Sequence, residues 1–116
     1  MIEPFLPGLQ LALDHAGGTH TIEDVLDQIK RGEAQLWTSE NACIVTEVLT
    51  TPRKKVLHYW LSTGVLDDVI TLSRDVLKWG KTVGCQAATL AGRRGWEKVL
   101  VAEGWSPMLS VMGREV

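Results

Sequence analysis

Between Ser62 and Asp67 the hydrophobic period of this chain changes, and that change limits the possible folds more than any other feature. Before it lie three runs suited to strands: Ala34 to Thr38, Ala42 to Thr50, and Lys55 to Ser62. Two turns separate them, Ser39-Glu40-Asn41 and Thr51-Pro52-Arg53-Lys54. Connections this short join antiparallel neighbours, so a three-stranded meander is expected. After the change, Val69, Leu72, Val76, Trp79 or Gly80, and Val83 recur at helical spacing, which predicts a helix over Asp67 to Thr82. Gly84 ends it. Cys85 to Leu90 is then a small, apolar run with the character of a buried strand.

The flanks add helices. Phe5 to His15 carries Leu6, Leu9, Leu11 and Leu13 and reads as a short helix, with Pro7 tolerated in its first turn. Gly17-Gly18 breaks it, and His15 and His20 beside that break are expected to be solvated. Thr21 is placed to cap a second helix, with Ile22, Val25, Leu26 and Ile29 on one face and Gly32 at its exit. Near the C-terminus, Gly92-Arg93-Arg94-Gly95 reads as a loop. Trp96 to Glu103 reads as a helix turning Trp96, Val99 and Leu100 inward and closed by Gly104, and Met108 to Met112 as a last strand. The expected order is α-α-β-β-β-α-β-α-β in one domain over residues 1–116, an α/β (α+β) fold with a mixed sheet covered by helices.

Composition excludes some functions. A formal net charge of −2 gives no general attraction to nucleic acid or acidic lipid. No apolar run is long enough for a membrane segment. Met1-Ile2-Glu3-Pro4 has no basic signal-peptide start, so the chain is expected not to be secreted. Cys43 and Cys85 lie far apart in apolar runs, which suits reduced core thiols and builds no metal site. Five Trp against one Phe and one Tyr is unusual. Each buried indole needs a partner for its N–H, so one or two are expected at a groove or partner surface.

Several stretches carry a resemblance. Gly84-Cys85 with the following strand, polar loop, short helix and Glu103-Gly104-Trp105 resembles the C-terminal half of GNAT N-acetyltransferases, with Gly104-Trp105 standing for a Gly-aromatic pair. Ala42 to Val48 resembles the central strands of that family. Gly18-Thr19-His20-Thr21, Ile44-Val45-Thr46-Glu47, Pro52-Arg53, Lys55-Val56-Leu57-His58 and Ala91 to Trp96 resemble small GNAT-like proteins of bacteriophages and prophages. The resemblance implies a GNAT-like sheet and a place among phage virion proteins, in the bacterial host cytoplasm or the virion.

The family's chemistry needs three parts. The first is a glycine-rich turn at the start of the central helix, whose N–H groups hold the pyrophosphate of acetyl-CoA. The matching stretch supplies Ser62, Thr63 and Gly64 as candidate cofactor contacts, followed by Asp67 and Asp68, which repel phosphate. The second is a general acid, often a Tyr four residues before the last helix's Gly; Leu100 stands there, and Tyr59 lies on a strand. The third is a general base. Glu47 and His58, on adjacent strands, are the candidate catalytic residues, provided that their faces open to one cleft. Arg53-Lys54-Lys55 reads as a solvated turn. Arg93 and Arg94, with Trp96, are candidate contacts to an anion or a partner protein.

The damaged first and second parts point to a GNAT-fold protein that no longer transfers acetyl groups, has no cofactor, and binds a protein partner as a virion, morphogenesis or internal virion component. The alternative is an active acetyl-CoA-dependent N-acetyltransferase with an atypical pyrophosphate loop. A third expectation, a host-directed inhibitor, follows from gene size alone.

Overall fold

In the computed structural model, which describes residues 2–91 and 96–116, helices flank a four-stranded sheet. A short 3-10 turn, Glu3–Phe5, leads into α1 (Leu6–His15). Then come α2 (Ile22–Lys30), β1 (Gln35–Thr38), β2 (Ala42–Thr50) and β3 (Lys55–Gly64). The chain continues through α3 (Leu66–Thr82), β4 (Ala87–Leu90) and α4 (Glu97–Ala102). The Gly92 to Gly95 loop expected from the sequence lies outside the described residues.

Local chemistry explains the best-defined boundary. The Thr21 hydroxyl accepts from the Asp24 amide at 3.2 Å, and the Asp24 carboxylate accepts from the Thr21 amide at 2.8 Å. This reciprocal cap satisfies two N–H groups that a helix start leaves free. The Thr21 amide also holds the Asp24 carboxyl below its usual range.

The sheet order is β1-β2-β3-β4. The first three strands form the expected antiparallel meander, and β3 pairs with β4 in parallel. One irregularity matters for the site. Val45 faces Leu61, whereas Thr46 faces Tyr59, so Trp60 is an extra residue on β3. This β-bulge resets the alternation of β3. Leu57 and Tyr59 face α3, whereas Leu61 joins the core on the α1 and α2 side.

Two cores result. Phe5, Leu9, Leu13, Val25, Cys43, Val45 and Leu61 pack between the sheet and α1 and α2. Ala42, Ile44, Leu57, Tyr59, Val69, Leu72 and Val76 pack beneath α3. Gly80 brings α3 close to the sheet: a Cβ there would lie 2.7 Å from Leu57 Cδ2. Cys43 and Cys85 are both free thiols, the first buried and the second half-buried. Burial pushes the Cys43 thiol up to about 11.

Thr46 is the one fully buried polar side chain among the described residues. Its hydroxyl donates to Gln35 Oε1 at 2.9 Å and accepts from Trp37 Nε1 at 3.0 Å. Thr46→Val keeps the shape but strands both partners. We expect a loss of about 1–2 kcal/mol in denaturant unfolding. An unchanged midpoint would show that water reaches Gln35 and Trp37.

Two expectations need correction. Met108 to Met112 forms no strand; its large apolar residues are 76% to 92% exposed. A strand needs a neighbour for its ladder, and this segment has none among the described residues. The predicted buried strand at Cys85 to Leu90 begins only at Ala87 and is half-buried throughout. It is an edge strand, with no neighbour on its outer side among the described residues.

Candidate active site

The parallel pair β3 and β4 holds together only from Val56 to Tyr59, opposite Ala87 to Leu90. Beyond Tyr59, β3 runs on to Gly64 and keeps its ladder with β2 on one side. Among the described residues, nothing pairs with its other side from Trp60 to Gly64. The two strands therefore part at the bulge. Alternate main-chain groups of β3 are left open to a ligand along that edge.

That edge leads to the start of α3. Val65 is the N-cap residue, and its apolar side chain makes no capping bond. Its N–H is used by Asn41 O at 2.9 Å. Asp67 and Asp68 lie in the first turn, and neither carboxylate bonds back to an amide among the described residues. The first-turn amides thus have no side-chain acceptor, and they favour an anion. The carboxylates of Asp67 and Asp68 oppose one.

The candidate cofactor contacts Ser62, Thr63 and Gly64 lie in the last part of β3, opposite Ile44, Cys43 and Ala42, and not in a loop. The Thr63 side chain packs against Gly8 of α1, where even a Cβ has no room. From these three residues, main-chain groups are better placed than the Thr63 hydroxyl to meet a ligand.

Glu47 and His58 are brought together. They are direct cross-strand partners on β2 and β3. His58 is in turn opposite Thr89 on β4, and His58 Nδ1 lies 2.8 Å from Thr89 Oγ1. Their sequence neighbours Val48, Leu57, Tyr59, Ala88 and Leu90 pack toward α3, so Glu47, His58 and Thr89 form a row on the opposite face. Glu47 and His58 are half-buried, and Glu47 makes no hydrogen bond or ion pair among the described residues.

Trp60 extends this face at the bulge. His20 packs edge-on against it, with ring centroids 4.9 Å apart. The expectation that His20 is solvated holds only in part: the α1–α2 loop folds back onto the sheet, and His20 is half-buried, one ring edge against Trp60 and Nδ1 at 2.8 Å from the exposed Thr19 hydroxyl. Neither Trp60 nor Thr89 was marked by the sequence. A bulge is set by the register of two strands, which no single run encodes.

On the other face, the Tyr59 hydroxyl bonds the carbonyl and hydroxyl of Ser73, at 3.2 and 2.9 Å. Burial pushes it up to about 12, so it stays protonated at neutral pH. Leu100, where the sequence resemblance would place a general acid, lies on α4 and has no proton to give. Trp96 is half-buried against the α3-side core, so its ring serves packing. Arg93 and Arg94 lie outside the described residues. No group of three metal-ligating side chains forms among the described residues, and no helix there is long and apolar enough to cross a membrane.

Comparison of whole folds gives a consistent result. A Trypanosoma brucei acetyltransferase superposes with a TM-score of 0.70 at 11% identity, over 100% of this chain and 96% of the other. A Thermus thermophilus protein gives 0.67 at 19% identity, over 100% and 93%. The chain has a GNAT-like fold. Glucosamine-6-phosphate N-acetyltransferase from Arabidopsis thaliana also gives 0.67, at 13% identity, over 84% of this chain and 80% of the other. No family model and no curated protein matches the GNAT-like chain by sequence. The order read from the residues, α-α-β-β-β-α-β-α-β, matches the observed one except for its last strand, which does not form among the described residues.

Proposed function

We propose that this GNAT-like protein is an acyl-CoA-dependent N-acyltransferase with an atypical pyrophosphate site. The observation that carries the reading is the opening between β3 and β4. It leaves a strand edge from Trp60 to Gly64 that ends at the uncapped start of α3. The structural likeness to two named acetyltransferases supports it.

The residues present fit acetyl-CoA at two places and oppose it at one. The open edge of β3 suits the amide-bearing arm, and the amides of Leu66, Asp67 and Asp68 suit the pyrophosphate. The Asp67 and Asp68 side chains weaken that second contact. Acetyl-CoA supplies an activated thioester carbonyl when bound. The chain's own part is to handle the proton of the acceptor amine. Thr89 orients His58 through Nδ1; in the tautomer where Nδ1 donates to Thr89, Nε2 is left as an acceptor. Glu47 beside it accepts a proton directly or stabilises His58 once charged.

Titration calorimetry with acetyl-CoA tests the reading. We expect binding in the micromolar range, tightened when Asp67 and Asp68 are both changed to Asn. No heat up to millimolar ligand, in the original and in the double variant, would end it.

A second reading is favoured by Leu100 and the acidic α3 start: the fold is kept for binding a protein partner and the chemistry is lost. A virion or morphogenesis role belongs to this reading and rests on the sequence resemblance alone. A protein that binds acetyl-CoA but releases no thiol with any amine would favour it.

A further inference from the structure

The row Glu47, His58 and Thr89 has an apolar neighbour. One step nearer the β2–β3 turn, Leu49, Val56 and Ala87 lie opposite one another on the same face of the sheet. The core under α1 and α2 takes in Val45, Leu61 and part of Trp60, but neither of these rows, among the described residues. Leu49 is 41% exposed, so it supports little core, and Val56 and Ala87 are half-buried.

Charge shows what the polar row is short of. Lys55 is the only lysine or arginine on β2, β3 and β4. Its ammonium is turned away and donates to Val83 O at 2.6 Å, at the end of α3. Arg53 and Lys54, in the turn, are exposed and pair with no carboxylate among the described residues. His58 is engaged through Nδ1 with Thr89. The half-buried Glu47 carboxylate is therefore left for an arriving cation.

We propose that this face binds an amine carried on an apolar skeleton, an unbranched alkylamine and not an amino sugar. The ammonium meets Glu47 beside His58. Its carbon chain lies along Leu49, Val56 and Ala87, about 7 Å further down the strands. Trp60, braced by His20, closes the opposite side of the row. A polyhydroxyl skeleton would leave its hydroxyls without partners against Leu49 and Val56. The proposal rests on the reading of this row as the place where the acceptor's proton is handled.

Two readouts on the full chain test it. Calorimetry without acyl donor reads the binding of propylamine, hexylamine and glucosamine, and thiol release with acetyl-CoA reads their turnover. Each buried CH₂ is worth roughly fourfold in affinity, so hexylamine should bind at least about tenfold more tightly than propylamine. The same order is expected in kcat/KM, and glucosamine should do no better than propylamine. Leu49→Asn should raise Kd and KM for hexylamine by about fivefold or more, with a smaller change in kcat. Val56→Thr should act in the same direction. Propylamine, too short to rely on the apolar row, reports whether the site itself is intact in each variant. Hexylamine binding with this dependence but without thiol release keeps the amine site and ends the acyltransferase reading. Thiol release that favours glucosamine, or that ignores chain length and both substitutions, overturns the proposal and leaves that reading standing. Neither binding nor turnover of hexylamine at millimolar concentration also overturns it.

Discussion

Gly64→Ala is expected to destabilise the protein by about 3 kcal/mol or more and to abolish the acetyl-CoA binding proposed above. Gly64 has φ +128°, a backbone conformation that residues with a Cβ rarely adopt. Strain there costs roughly 1–3 kcal/mol by itself. The steric term adds to it. A Cβ on Gly64 would lie 2.2 Å from Asn41 O and 2.7 Å from the Ala42 Cα. Both atoms are backbone, and neither can move freely. Asn41 O accepts from Val65 N–H, and Ala42 is fully buried beneath α3. Relief requires the end of β3 to separate from β2, which tilts the start of α3 and disrupts the open edge. Gly18 is the control. It also has positive φ, +65°, but a Cβ there meets nothing within 4 Å. Gly18→Ala should cost only about 1 kcal/mol. Denaturant unfolding of the two variants checks the contrast. Equal losses would mean that the β3–α3 junction yields where its backbone contacts imply that it cannot.

The same glycine shows where sequence reading reaches and where it stops. Read along the chain, Gly64 stands for a phosphate-binding turn. In the fold its constraint is the close passage of β2, a neighbour some twenty residues away in sequence. Features fixed by adjacent residues were legible. The Thr21 and Asp24 cap is one, and the meander turns at Ser39 to Asn41 and Thr51 to Lys54 are others. The apolar face of α3 was legible too, down to the ambiguity between Trp79 and Gly80, which the structure resolves by burying Gly80. Features fixed by register were not legible. The extra residue at Trp60, the meeting of His20 with that ring, and the Thr89 bond to His58 all depend on how strands pair. Met108 to Met112 is the mixed case: its pattern is that of a strand, but strand formation needs a second partner that the segment does not meet among the described residues.

The second large effect concerns the row Glu47, His58 and Thr89. If this row carries the acceptor's proton, Glu47→Gln should lower kcat/KM for an amine by about 10²-fold or more, the usual scale of general-base catalysis. His58→Gln should give a loss of the same order. The double variant should be little worse than either, because groups acting as a unit are not additive. Thr89→Val removes only the bond that orients His58 Nδ1, so a smaller loss, of about tenfold, is expected. None of these side chains lies on the β3 edge beyond Tyr59 or at the start of α3, so acetyl-CoA affinity should stay unchanged in all of them. That separation makes the test informative. Thiol release followed with polyamines and protein amines reports the chemical step, and calorimetry reports the cofactor. Full activity in Glu47→Gln would make Glu47 a half-buried carboxylate with no part in the chemistry. Activity lost together with cofactor affinity would place the damage in the fold, since the row holds the centre of the sheet where β2, β3 and β4 still run side by side.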